Sequence, residues 1–523
     1  MEPKEVISSA EEAFERGRKT IGLFLGPVVF LILYLYPMPT LSDEAHKLLA
    51  VIGFVLIWWL SEAVPIPVTA LIGAVLNVFL FVAPAKVVLA PFGHPLVFLF
   101  IGSFILAKAI TTHGLDRRFS FALLSIDALS KSPLRILFTF GLISAVASMW
   151  ISNTAATAMM LPIALGILSA MKSVSAAGSD GAGEDVKTGE SVKGFNFDKY
   201  STSMMLMIAY GASVGGIATP IGTPPNVIGI GMIDTLAGVK ISFFEWMSFA
   251  LPITVVMFIY LFFILGFLGT DVKGGLHGVR EYVSAARSRL GPWKRGEKNA
   301  AVAFSVAVLL WVLPSLAGLL YGKESEIALY LSSRLNSGVV ALFAAMLLFV
   351  MPMSSKEGKK ERSFTMTWEN AVKIDWGTIL LFGGGLSLGS LMFSTGLADS
   401  LGAVLTGVSG ASGLWSITAI AIVLGIILSE TTSNTASANM VIPVMIAIAL
   451  GMGVSPMPPA LGACLGASFG FMLPVSTPPN AIVYGSGMVP ILKMVSRGIL
   501  FDIGGFFIIF FGLRILCPMF GWV

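Results

Sequence analysis

Residues 374–492 contain no lysine or arginine, and their only acids are Asp375, Asp399 and Glu430. A stretch of that length cannot present a solvated surface without charge, so it must face lipid or other buried protein. The whole chain shares the bias. Of its 523 residues, 56% are hydrophobic and 12% are charged, and the mean hydropathy is +0.88. Soluble chains carry about 25% charged residues. A spanning helix needs ~20 mostly apolar residues. Apolar runs at 21–36, 48–60, 68–82, 136–168, 243–268, 300–320, 337–351, 415–450 and 498–511 meet or approach that length. They predict an all-α, multi-pass membrane protein of about eleven crossings, with no useful length left for a soluble domain.

Charge then orients the chain. Residues 1–20 mix acids and bases, unlike a cleaved leader, and read as an amphipathic cytosolic or interfacial segment. Bases concentrate in 271–298 and in 353–373. Basic loops stay on the cytosolic side, so both segments and the N-terminus are expected inside. For a prokaryotic chain the membrane is then the inner cell membrane. Cys464 and Cys517 sit in apolar sequence and read as packing residues. His46, His94, His113 and His277 fall at predicted helix ends or loops. No zinc-ligand spacing, phosphate loop or nucleophile elbow stands in a usable context, so neither an enzyme, an organic cofactor nor a nucleic-acid partner is expected.

The sequence also repeats itself. Phe100–Gly102 with Gly114-Leu115 matches Phe382–Gly384 with Gly396-Leu397. Ser152-Asn153-Thr154-Ala155, followed by Pro162, matches Ser433-Asn434-Thr435-Ala436, followed by Pro443. Gly211–Gly215 matches Gly466–Gly470, and Thr223-Pro224-Pro225-Asn226 matches Thr477-Pro478-Pro479-Asn480. The order is the same in both halves, which are taken as 21–270 and 299–523, joined by the basic linker 271–298. The first half is longer by a polar, Gly/Ser-rich stretch at about 172–199, which reads as an exposed, mobile loop. Basic segments follow the opening crossings of the second half but not of the first, which suggests inverted repeats. Such repeats point to a transporter with its site at their interface.

Both repeated motifs break helices. Ser-Asn-Thr is polar and helix-weakening within apolar sequence. A Pro-Pro pair removes two donors and clashes with the preceding turn. At membrane depth such breaks survive only inside protein or beside a water-filled cavity. A broken helix offers N–H groups to an anion at one end and carbonyls to a cation at the other. Ser and Thr hydroxyls and Asn amides serve both. Residues 136–171, 200–239 and 374–492 carry no Lys or Arg, so an anion held there finds no fixed basic partner. Co-bound cations would neutralise a small dianion, and sodium coupling follows from that electrostatic need. Glu430, beside the second motif, is expected either to orient backbone or to bind an ion. Glu62 is expected at an interface, and Lys108 and Asp116 are expected to flank a first glycine-rich hairpin and snorkel.

With these motifs in view, the chain resembles the divalent anion:sodium symporter (DASS) family, which includes sodium–dicarboxylate and sodium–citrate cotransporters. The strongest local match is Ala467-Ser468-x-x-Phe471-x-x-Pro474-Val475-Ser476-x-x-x-Asn480-x-Ile482-Val483. The resemblance implies a homodimer, each protomer having a scaffold domain and a transport domain that moves as an elevator. It implies re-entrant hairpins, here placed at about 96–118 and 376–400. It implies symport of sodium with C4-dicarboxylates such as succinate, malate or fumarate, or with related di- and tricarboxylates. The alternatives are a sodium-independent dicarboxylate exchanger and a sulfate or other inorganic dianion carrier on the same fold. Substrate contacts would come from Ser152, Asn153, Thr154, Ser433, Asn434 and Thr435, with Thr223, Pro224, Thr477 and Pro478. One sodium would take Ser148, Ser152, Asn153 and the carbonyl of Gly222. The other would take Ser429, Thr432, Asn434 and the carbonyl of Ser476. Ser429 departs from the commoner Thr, and Thr432 and Ser476 from the commoner Ala. A hydroxyl persists at 429 and backbone ligands ignore the side chain, so sodium is expected to be retained.

Overall fold

The computed structural model describes residues 9–126, 132–177, 196–270, 279–353, 363–401 and 413–523. The described residues are helical, apart from turns and one isolated bridge between Pro352 and Phe364. Most of the polar stretch 172–199 and parts of both basic segments lie outside them. Residues 9–20 do not form a separate segment. They are the opening turns of one continuous helix, α1 (Ser9–Leu35), which packs along α2 (Asp43–Ser61).

Two groups of helices follow. The frame contains α1, α2, α3 (Ile66–Phe79), α4 (Pro95–His113), α10 (Arg295–Tyr321), α11 (Ser337–Val350) and α12 (Trp376–Ser394). The core contains α5 (Pro133–Ser148), α6 (Asn153–Ala177), α7 (Phe197–Gly216), α8 (Pro224–Met232) and α9 (Phe243–Phe262) from the first half. From the second half it takes α13 (Leu414–Thr431), α14 (Asn434–Gly451), α15 (Met457–Gly466), α16 (Pro478–Tyr484) and α17 (Ile491–Met519). Polar side chains start many of them. The Ser132 hydroxyl accepts the Arg135 N–H, and Ser242 and Glu245 form a reciprocal capping box on α9. Among the described residues nine helices are long and apolar enough to cross a membrane, or ten if the bent pair Glu326–Arg334 and Ser337–Val350 is one span. The count falls below eleven because several apolar runs are too short or fold back.

The repeat is real in three dimensions. Gly102 of α4 lets that helix press on Ala341 of α11, and its counterpart Gly384 of α12 presses on Ala70 of α3, where an added Cβ would lie 2.7 Å from the Ala70 Cβ. Phe100 and Phe382, matched by sequence, meet edge to face at 5.4 Å. Gly211 meets the backbone of Gly141, and Gly466 meets Ile422. Beyond that pair the repeats slip by one residue. Asn226 Nδ2 donates to the carbonyl of Gly216, and Asn480 Nδ2 to that of Gly470. Gly216, not Gly215, is therefore the partner of Gly470.

The hairpins lie elsewhere than expected. Residues 96–113 run as one helix, and 376–394 as another, so neither segment turns back on itself midway. The chain folds back at the Ser-Asn-Thr motifs instead. Ser437 Oγ of α14 donates to the Gly425 carbonyl of α13 at 3.0 Å. In a straight helix those positions would be about 18 Å apart. Helix α5 has 16 residues and reaches about 24 Å, short of a ~30 Å hydrocarbon layer. The misplacement has a simple cause. The Phe-x-Gly landmarks mark close helix crossings, and glycine serves that purpose as readily as it serves a turn.

Candidate functional site

The α5–α6 and α13–α14 pairs each put a Ser-Asn-Thr at a helix start. Ser152 Oγ accepts the Ala155 N–H at 3.2 Å, and Ser433 Oγ accepts the Ala436 N–H at 3.2 Å. Both motif serines are thus spent largely as N-caps. Each motif asparagine is held by a serine five residues earlier. Ser148 Oγ donates to Asn153 Oδ1 at 2.5 Å, and Ser429 Oγ to Asn434 Oδ1 at 2.8 Å. This orientation leaves the Asn153 and Asn434 amide nitrogens and the Thr154 and Thr435 hydroxyls without a protein partner among the described residues.

A cavity of about 620 Å³ joins them. All ten expected substrate contacts line it: Ser152, Asn153, Thr154, Thr223, Pro224, Ser433, Asn434, Thr435, Thr477 and Pro478. The core supplies these walls. Helices α3, α4 and α12 of the frame supply the facing wall. Helices α6 and α14 direct their N-termini into the space, and with them a partial positive charge. Helices α8 and α16 also start there, but each begins with two prolines and so lacks its first two N–H groups.

The expected cation ligands gather behind each clamp. A side chain on Gly216 would run into Asn153 Oδ1 and the Gly222 carbonyl oxygen. One on Gly222 would run into the carbonyl oxygens of Gly216 and Ser148. At the second clamp a Cβ on Gly470 would lie 3.1 Å from Asn434 Oδ1 and 3.2 Å from the Ser476 Cβ. At the first place Asn153 Oδ1 and the carbonyl oxygens of Ser148, Gly216 and Gly222 lie together, a donor set that suits a hard alkali ion; at the second the Gly470 position meets one oxygen, Asn434 Oδ1, beside the Thr477 methyl and the Ser476 Cβ. Thr432 is the outlier. Its hydroxyl turns back to the Leu428 carbonyl at 2.8 Å, leaving lone pairs and its own carbonyl for a ligand.

Several roles were not legible in the sequence. Asn226 and Asn480, the last residues of the Thr-Pro-Pro-Asn motifs, are fully buried ties rather than contacts to the cavity. Asn226 Nδ2 reaches the carbonyls of Gly216, Ile217 and Thr219, and Asn480 Nδ2 those of Gly470 and Leu473. They satisfy the acceptors that unwinding frees. Asn480→Ala is expected to lower stability by about 1–3 kcal/mol through orphaned carbonyls, read as an earlier detergent melting transition. An unchanged transition would remove this role. Glu430 resolves in favour of orienting backbone. Its Oε1 accepts the N–H groups of Phe471 (2.5 Å) and Met472 (2.9 Å), and its Oε2 accepts the Ser476 hydroxyl at 2.9 Å. Asp502 of α17 is buried beside it and carries no motif signal in the sequence, being a lone acid in an apolar run. Glu62 lies at the end of α2, 3.6 Å from Arg18, whose guanidinium also donates to the Thr431 carbonyl beside the second motif. Asp116 does not flank a hairpin. It opens the short helix Leu115–Leu124, where burial pushes its carboxyl up while the Arg117 N–H opposes the shift.

An anion in this cavity is not without fixed bases. The motif segments carry no base, yet Lys108 of α4 and Lys373, just before α12, both line the cavity. The fixed charge comes from the frame, which local sequence around the motifs could not reveal.

Residues 18–522 match the model of the sodium:sulfate symporter transmembrane region. The chain belongs to this family. The sodium-dependent dicarboxylate transporter SdcS of Staphylococcus saprophyticus is 34% identical over 481 residues, covering 91% of this chain and 87% of that protein. SdcS of Staphylococcus aureus is 34% identical over 494 residues, covering 94% and 89%. Among solved structures, the YdaH transporter of Alcanivorax borkumensis aligns over 98% of both chains with a TM-score of 0.51 and 13% identity. MtrF of Neisseria gonorrhoeae aligns over 92% and 96% with a TM-score of 0.52 and 12% identity. At that identity the two structures speak to the fold alone. As a member of the symporter family the chain is a multi-pass membrane transporter and not an enzyme.

Proposed function

We propose that this transporter carries C4-dicarboxylates, or closely related di- and tricarboxylates, together with sodium. The observation that carries the reading is the convergence of both Ser-Asn-Thr clamps on one cavity, the first of them backed by a group of carbonyl and amide oxygens. The clamps offer amide N–H and hydroxyl donors plus two helix N-termini to carboxylates. Sodium would take the carbonyl and amide oxygens behind the clamps. Each clamp asparagine serves both at once, so cation binding arranges the donors for the anion. The names of the Staphylococcus relatives support the same substrate and ion.

The transport cycle proposed is an elevator. The core, with the clamps, slides as a transport domain against the frame, which acts as scaffold within a homodimer. The division of the cavity wall between core and frame supports this. The N-terminus and basic segments face the cytosol, and in a prokaryote the membrane is the inner cell membrane.

Reconstituted vesicles test the reading. Radiolabelled succinate is expected to accumulate with an inward sodium gradient and not with potassium. Uptake that instead requires internal dicarboxylate and ignores sodium identifies an exchanger. Sulfate that displaces succinate at lower concentration identifies an inorganic-anion carrier. Thr154→Ala and Thr435→Ala each remove one cavity hydroxyl and are expected to raise the half-saturating succinate concentration about tenfold, with the protein still folded. Wild-type kinetics in both would take these threonines out of the site.

A further inference from the structure

Four cavity-lining residues of α4, Phe104, Ala107, Lys108 and Thr111, are spaced as one helical stripe. Lys108 therefore sits on the face turned toward the clamps, not on a lipid-facing edge from which a lysine would snorkel. It is half-buried, and its ammonium makes no hydrogen bond or ion pair among the described residues. Lys373, the other base of the lining, is exposed at the rim. Nearby Asp375 is exposed too, and its carboxylate is engaged by the N–H and hydroxyl of Thr378 at 3.0 and 2.6 Å. A half-buried lysine whose ammonium has no protein partner and which lines an anion site leaves that charge available to an anionic ligand.

We propose that Lys108 is a substrate-binding residue that selects doubly charged carboxylates, meeting from the frame the carboxylate that the clamps leave turned toward it. The proposal rests on the dicarboxylate reading and adds a fixed charge to it. Sodium and Lys108 then share the neutralisation of the dianion. Because Lys108 stands on the frame and the clamps on the core, this contact forms only when the two walls face each other as they do here.

The test uses full-length protein in vesicles with an inward sodium gradient. It compares wild type with Lys108→Met and Lys108→Arg, following radiolabelled succinate uptake and its inhibition by unlabelled succinate and monomethyl succinate. Lys108→Met is expected to raise half-saturating succinate about tenfold or more. Its preference for succinate over the monoester is expected to shrink by a similar factor, and its sodium requirement to rise. Lys108→Arg, which keeps the charge, is expected to restore most of the preference. If Lys108→Met is not recovered as folded protein, Lys108→Gln gives the same comparison with a polar tip. A neutral variant that keeps the wild-type preference overturns the proposal, as does one that loses both ligands equally. Wild type that takes up no succinate with sodium overturns the dicarboxylate reading as well, and the wild-type arm alone reports that.

Discussion

Asn434→Ala is expected to cut sodium-driven succinate uptake about a hundredfold or more, the largest loss of any single side chain in the site. The residue stands where two tasks meet. Its Oδ1 accepts from Ser429 and lies 3.1 Å from where a Cβ on Gly470 would stand, while its amide nitrogen faces the cavity at the start of α14. Truncation removes an anion donor and a cation ligand in one step, and the two losses compound because each ligand organises the site for the other. Folding is expected to survive. The single Ser429 hydroxyl proton then has the Ala467 carbonyl, 2.9 Å away, as its acceptor, and Ser433 still caps the helix. The measurement is uptake against succinate and sodium concentration, alongside a melting curve. Near-normal uptake would sink the assignment, and a collapsed melting transition would reassign Asn434 to structure. The equivalent change at Asn153 is harder to read, because Asn153 is the partner that Ser148 has for its hydroxyl.

Gly215→Val is expected to abolish recovery of folded protein. Helix α7 crosses α5 here with backbone against backbone, and the carbonyl carbon of Ala145 lies 2.5 Å from where a Cβ would be. Backbone cannot rotate away as a side-chain tip can, so the helices must separate. Overpacking of a tight crossing costs about 3 kcal/mol or more. It would also displace the end of α5, from which Ser148 holds Asn153. The expected readout is aggregated or proteolysed protein in detergent chromatography, with Gly413→Ala, which meets open space, behaving as wild type. A monodisperse Gly215→Val protein would show that the two helices are not pressed together at this crossing.

Much of this was written locally. Membrane residence followed from charge depletion, because no fold can solvate residues 374–492 without charged groups. The site residues followed from duplication, since a polar break that recurs in matched order within apolar helices needs a cavity to sustain it. Other features are not local. The hairpin positions are not local, because nothing within 96–118 or 376–400 says that Gly102 and Gly384 serve helix crossings with Ala341 and Ala70. Asn226 and Asn480 looked like part of a binding motif until the carbonyls they serve were in view.

What the sequence determined alone is a chemistry: where the chain must lie in apolar surroundings, and which short polar segments interrupt it. Those depend on residue type and spacing along one strand of chain. What the tertiary structure decided is which surfaces oppose each other. Lys108 and the two clamps lie far apart in sequence and share one cavity only because the frame closes over the core. Electrostatic attraction depends on distance through space, and that distance exists only after packing.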